Sequence, residues 1–150
     1  MGRNLEAFII KNYKKAIDYH EIQAFYQPVI RTSTRQLCSF EALARWIDPE
    51  LGMIFPDEFI PVLEREGLIH LLDTGILRQV CARIRSSIAN GETPIPVSVN
   101  LSRLDFTLCD IFTIADHIVS DYQIPHDFIY FEITESVMAE QKELMMGIVD

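Results

Sequence analysis

Two short apolar runs constrain the fold more than any other feature of this chain. IPVSVNLS, 95–102, and FIYFEIT, 128–134, have strand length and carry almost no charge. Runs this apolar are expected where a sheet is covered on both faces. Between them, 105–122 reads as a helix, with Phe112, Ala115, Ile118 and Val119 on one face. A helix between two strands is the crossover that parallel pairing requires. The earlier part repeats the alternation. IQAFYQPVI, 22–30, reads as a strand, RTSTRQ as a turn, and 37–46 as a second strand. IDPELGMIF, punctuated by Pro and Gly, reads as a loop. PDEFIPVLEREG predicts a short helix with Pro56 in its first turn and Gly67 as its stop. Asp73 to Asn90 predicts a longer helix with a stripe of Ile76, Leu77, Val80, Cys81 and Ile84, ended by Asn90-Gly91. This order predicts an α/β fold with a mostly parallel sheet. Trp46, Phe55 and Phe59 are expected in its core, and EREG, 64–67, at a solvated helix end. Flanking helices are expected at 4–20, capped by Asn4, and from Ser136 to Asp150.

Bulk properties narrow the function. The chain has 150 residues, 49% hydrophobic, which suits one globular domain with a sizeable core. Its net charge of −9 argues against nonspecific binding to a nucleic-acid polymer, which needs Lys and Arg to neutralise phosphates. An acidic protein can still hold a phosphate ligand if divalent cations sit between the two. No apolar run is long enough to span a membrane, and the N-terminus lacks the pattern of a secretory signal. Cys38, Cys81 and Cys109 have no zinc-site spacing and read as small buried residues in a reducing compartment. A cytoplasmic location is the expectation, with room for membrane anchoring through an upstream segment.

SFEALARW, 39–46, carries the chemistry. Strand alternation puts Glu41, Leu43 and Arg45 on one face and Phe40, Ala42 and Ala44 on the other. A buried, unpartnered carboxylate costs several kcal/mol, so Glu41 calls for a partner. In parallel α/β folds the chemistry lies at the carboxyl ends of the strands. Glu41, Asn100 and Glu132 all fall in those parts of their strands. Two carboxylates and an amide oxygen converging there would suit Mg²⁺, Mn²⁺ or Ca²⁺. Arg45 is placed to meet a phosphate oxygen, or to pair with Glu41 or Asp48, and Gln27 to hydrogen-bond a base or phosphate. Alternatives stay open at each position: a turn-forming role for Asn100, a salt bridge for Glu132, a polar rim for Gln27. His20, His70, His117 and His126 show no ligand spacing.

These residues stand in a recognisable order: FYQPVI (25–30), FEALARW (40–46), FPDEFIPVLEREGLI (55–69), SVNLS (98–102) and FEITES (131–136). Over about 22–150 the chain resembles the EAL domains, bacterial phosphodiesterases of the second messenger cyclic di-GMP. The resemblance implies a TIM-like (β/α)₈ barrel whose first strand is antiparallel. It implies metal-binding roles for Glu41, Asn100 and Glu132, with Mg²⁺ or Mn²⁺ in a two-metal site. It places Gln27, Leu43 and Arg45 along the dinucleotide site. It makes Glu135 the support of an active-site loop, although a capping role at the following helix is a rival. The implied reaction is hydrolysis of cyclic di-GMP to linear pGpG.

The resemblance also implies further aspartates, a lysine and a later glutamate, and their places in the family pattern fall beyond Asp150. None has a counterpart here, so no catalytic residue is identified within residues 1–150. The chain reads as about the first four strands, a half barrel, with 1–21 as a leading helix or linker and 22–150 as a truncated EAL domain. Such a piece is expected to have little turnover by itself and to self-associate, for instance as a homodimer, through its open sheet edges. An upstream diguanylate cyclase-like or sensor domain is the expected neighbour. A non-catalytic cyclic di-GMP receptor or protein-interaction module is the alternative within the family, and a generic α/β domain with a divalent-cation site the alternative outside it.

Overall fold

The computed structural model describes residues 2–134. Along them run α1 (Gly2–Asp18), β1 (Ile22–Arg31), β2 (Gln36–Asp48), β3 (Gly52–Ile54), α2 (Pro56–Arg65) and α3 (Ile69–Ala89). There follow β4 (Val97–Ser102), α4 (Asp105–Leu108), α5 (Ile111–Asp121), a 3-10 turn at His126–Phe128 and β5 (Ile129–Thr134). The sheet order is β1-β2-β4-β5, with β3 beside the end of β2. β1 pairs antiparallel with β2, while β2 with β4 and β4 with β5 are parallel. The result is an open α/β sheet with an antiparallel first strand, as half of such a barrel would have. The final helix expected from Ser136 to Asp150 lies outside the described residues.

Several elements differ from the sequence reading, each for a local reason. The segment after β2 is not all loop. Gly52–Ile54 folds back as β3, pairing Asp48 with Gly52 and Trp46 with Ile54. Asp48 Oδ2 shapes this turn by accepting from the amides of Glu50 and Leu51, at 2.9 and 2.8 Å. Three residues are too few to show a period of two. The helix expected over 105–122 is broken, because Cys109 is extended, with φ −160°, and Asp110 starts a new helix. The Asp110 carboxylate caps α5 by accepting from the Thr113 amide at 3.5 Å, and it also accepts from the Thr113 hydroxyl at 2.9 Å. Asn4 is a helical residue, since α1 starts at Gly2. Phe55 is exposed at the N-cap of α2, and Cys38 and Cys109 are only half-buried. Glu64 is not solvated but lies buried against β4.

Residues paired across a ladder share a face. One face therefore carries Tyr26, Ala42, Val99 and Phe131, and the other Gln27, Glu41, Ser98 and Asn100. The first face packs under α3, which also packs on α5. Its centre is Trp46, fully buried between Phe8, 6.0 Å away, and Phe59, edge-on at 5.6 Å. Where α1 meets α3, only a hydrogen fits at Gly75. A Cβ there would stand 2.8 Å from Cγ2 of Ile17. Among the described residues the second face is open, with Phe25 and Tyr130 exposed. The expectation that both faces of 128–134 are covered is corrected for β5. Only Ile129 of that strand is buried, because β5 ends the sheet among the described residues.

The expectation of two bare sheet edges also needs correction at β1. The Ala24 amide donates to Oε1 of Gln79 at 2.9 Å, and Nε2 of Gln79 donates to the Ile22 carbonyl at 2.8 Å. A side chain of α3 thus occupies part of that edge.

Phe59 fixes the seat of α2 on the sheet. Phe59→Ala is expected to destabilise the fold by about 3–5 kcal/mol, the usual cost of emptying a buried phenylalanine site. Urea denaturation followed through Trp46 fluorescence measures this directly. A loss under about 1 kcal/mol would show that the site collapses without a cavity.

Candidate functional site

The site is built by register, and Glu41 stands in the first half of β2 rather than in the carboxyl-terminal part that the sequence predicts. Gln27 on β1 lies opposite Glu41 on β2, Glu41 lies beside Ser98 on β4, and Asn100 on β4 lies beside Glu132 on β5. All five side chains therefore rise from one face of the sheet. Glu41 and Asn100 meet: Nδ2 of Asn100 donates to Oε2 of Glu41 at 3.3 Å. Both are half-buried, while Glu132 and Gln27 are exposed. This amide is the partner that makes a half-buried Glu41 tolerable, since it replaces part of the lost hydration. With its nitrogen committed to Glu41, the Asn100 amide keeps its oxygen as an acceptor.

Leu43, Arg45 and Asn100 share the lining of a small cavity of about 110 Å³ with Pro56 and Asp73. Arg45 pairs with neither Glu41 nor Asp48. Its Nη1 donates to the Ala44 carbonyl at 3.1 Å, which leaves further guanidinium donors for a ligand. Gln27 and Glu132 do not line that cavity. Glu135 lies outside the described residues, as does everything from there to Asp150, so the loop-supporting role has no geometry to report. Among the described residues, no three His, Cys, Asp or Glu side chains converge closely enough to hold a metal ion by themselves. Glu41, Asn100 and Glu132 offer two carboxylates and one amide on one face of the sheet, hard oxygens of the kind Mg²⁺ and Mn²⁺ take.

At the carboxyl end of β4, next to the cavity that Asp73 lines with Arg45 and Asn100, the structure holds a group that the sequence reading missed. Asp73, Asp105 and Glu64 are buried around Ser102, the last residue of β4. The Ser102 amide donates to Oδ2 of Asp73 at 2.8 Å and to Oδ2 of Asp105 at 3.1 Å. The Ser102 hydroxyl donates to Oε2 of Glu64 at 3.1 Å and accepts from the Leu104 amide at 3.2 Å. Burial pushes the Asp73 carboxyl well above the usual carboxylate range. The adjoining Asp105 carboxyl pushes it further, the Ser102 amide pulls it part of the way back, and Glu64 adds the smallest upward push. The signal in the sequence was the pair of carboxylates in "DTG" and "RLDF", which no periodicity argument brings together.

The family model described as EAL domain matches residues 10–147. An "Uncharacterized signaling protein" of Caulobacter vibrioides is 34% identical over 130 residues, 87% of this chain and 16% of that protein. The bifunctional diguanylate cyclase/cyclic di-GMP phosphodiesterase MucR of Pseudomonas aeruginosa is 24% identical over 142 residues, 95% of this chain and 21% of its own. The solved structure titled "PaMucR Phosphodiesterase, c-di-GMP complex" superposes with a TM-score of 0.76 at 23% identity. That alignment covers 93% of this chain and 60% of the other. The chain thus spans a minor part of these curated relatives and rather more than half of the similar structure.

A proton held by folded Asp73 is released by the unfolded chain near pH ~4, the ordinary aspartate value. This group's contribution to stability is therefore complete at acid pH and is lost as pH rises through the raised value. Asp73→Asn keeps a neutral, hydrogen-bonding side chain and removes the titration. Urea midpoints from pH 4 to 8 should show the variant gaining on the wild type as pH rises. A difference that stays flat across that range would contradict the shift.

Proposed function

The chain belongs to the EAL domain family, and from that premise we propose that it is the front part of a cyclic di-GMP phosphodiesterase domain. The reading is that the complete domain hydrolyses cyclic di-GMP to linear pGpG with Mg²⁺ or Mn²⁺. One observation carries it: the hydrogen bond joining Glu41 to Asn100 across adjacent strands, with Glu132 next in register on the same face. When bound, divalent ions would supply Lewis acidity toward the phosphodiester and lower the pKa of a coordinated water. Glu41, Asn100 and Glu132 are the residues assigned to hold them. The Asn100 amide orients the Glu41 carboxylate, so that its free lone pairs face the ligand side. Arg45 is assigned to a phosphate oxygen, with Leu43 and Gln27 along the dinucleotide and Glu135 supporting a loop.

All the assigned donors come from one side of the site, on three adjoining strands. A two-metal displacement needs charge neutralised on both the attacking and the leaving oxygen. This chain alone is therefore expected to bind rather than to turn over.

Calorimetry tests both statements. Wild-type chain should take up cyclic di-GMP in the presence of Mn²⁺, and Glu41→Ala should weaken this by at least about tenfold, as removal of a metal-organising group does. Binding that is unaltered by Glu41→Ala would remove Glu41 from the site, and absence of binding in either metal would end the reading. Chromatography of the same mixtures should show no build-up of pGpG. Steady turnover by the chain alone would contradict the one-sided site. Uptake without turnover in a longer protein that includes this chain would favour the non-catalytic receptor.

A further inference from the structure

β1 is the strand that presents Gln27 to Glu41, and among the described residues it pairs with a strand on one side, β2. Its ladder to β2 slips at Val29/Ile30, so the far end of the hairpin does not extend the register without a break. Antiparallel alternation assigns its backbone groups. The Glu21 carbonyl accepts from the Ile47 amide at 2.8 Å, so odd-numbered residues face β2. Ile22, Ala24, Tyr26 and Pro28 then turn their backbone groups to the outer edge. The Gln79 side-chain amide meets the first two of these with both of its ends, at 2.9 and 2.8 Å. One acceptor and one donor, offered together to residues two apart, are what a neighbouring strand would offer. Pro28 has no amide hydrogen to present. One helical turn after Gln79, the Arg83 guanidinium lies 4.7 Å from the centre of the Tyr26 ring. α3 therefore runs past β1 with Gln79 at the strand's outer edge and Arg83 over the Tyr26 ring on the covered face.

We propose that Gln79 is a positioning residue for the candidate site: its amide takes the place of a neighbouring strand on β1 and holds that strand where Gln27 faces Glu41. The structural part of this stands on the two hydrogen bonds alone. Its consequence for ligand binding rests on the reading of the site given above.

Amide hydrogen exchange by NMR on the 150-residue chain tests the clamp. In Gln79→Ala the Ala24 amide should exchange about tenfold faster or more, as expected for a lost, partly buried hydrogen bond. Val99, in the centre of the sheet, should keep its rate. Gln79→Glu retains an acceptor for the Ala24 amide but loses the donor to Ile22, so its Ala24 rate should fall between the two. The cross-strand proton contact between Gln27 and Glu41 should weaken in Gln79→Ala and persist in Gln79→Glu. An unchanged Ala24 rate in Gln79→Ala would overturn the proposal, as would equal acceleration at Ala24 and Val99, which marks general loosening. Cyclic di-GMP affinity adds a separate arm. If the wild type binds and Gln79→Ala binds equally well, the positioning role is refuted. If the wild type does not bind, the functional reading fails, and the exchange and contact data still decide the clamp.

Discussion

The register of β2 against its two neighbours governs everything at the candidate site. Side chains alternate across a strand, so a slip of one residue would send Glu41 to the helix-covered face and bring Ala42 out. The cost of burying that carboxylate among Trp46, Val99 and α3 keeps the slip from occurring. On the β1 side, a ladder from Ile22↔Trp46 through Pro28↔Phe40 enforces the same choice. On the β4 side, the parallel pairing of Glu41 with Ser98 leaves Asn100 one step further along, and there its amide reaches Oε2. The polar face is therefore a consequence of apolar packing on the other side of the same strands.

What the sequence disclosed follows from this. Where a segment is long and its pattern is clear, the reading held: β1 and β2 lie within two residues of their expected bounds, β4 falls inside the apolar run 95–102, α3 carries the expected stripe but starts four residues early at Ile69, and the motif order identified the family. Asn90 and Gly91 end α3, with Gly91 in the left-handed region at φ +79°. Features set by single contacts were not legible. β3 exists because Asp48 folds the turn before it. The helix over 105–122 breaks because Asp110 offers a cap that competes with continued α-helix. Glu64 reads as solvated in a run of charges, yet the Ser102 hydroxyl, 38 residues away, draws it inside. At the site, alternation put Glu41, Leu43 and Arg45 on one face of β2, while the register that sets Asn100 and Glu132 on that same face, and the commitment of the Asn100 nitrogen to Glu41, are fixed by pairing between strands far apart in sequence.

The buried carboxylates around Ser102 show the opposite balance to the open face beside them. On the sheet surface, exposed or half-buried acids stay close to water and suit a cation. At the end of β4, Asp73 and Asp105 converge on one buried backbone amide. Two carboxyls so placed cannot both ionise cheaply, and the raised Asp73 is the outcome. They anchor the end of β4 two residues past Asn100, so the strand that presents the amide is gripped from its own terminus. α3 contributes to both places, with Asp73 near its start and Gln79 in its middle.

The seat of α1 on that same helix has a mechanical consequence. With room only for a hydrogen at position 75, the Ile17 methyl sits in a notch on α3, and the two rods mesh as a tooth in a gear. Rotation of α1 about its long axis would drive that methyl against the flank of α3 within a fraction of a turn. The first residues to feel the torque would lie between Asp73 and Gln79, the span tied to the tip of β4 at one end and to the margin of β1 at the other.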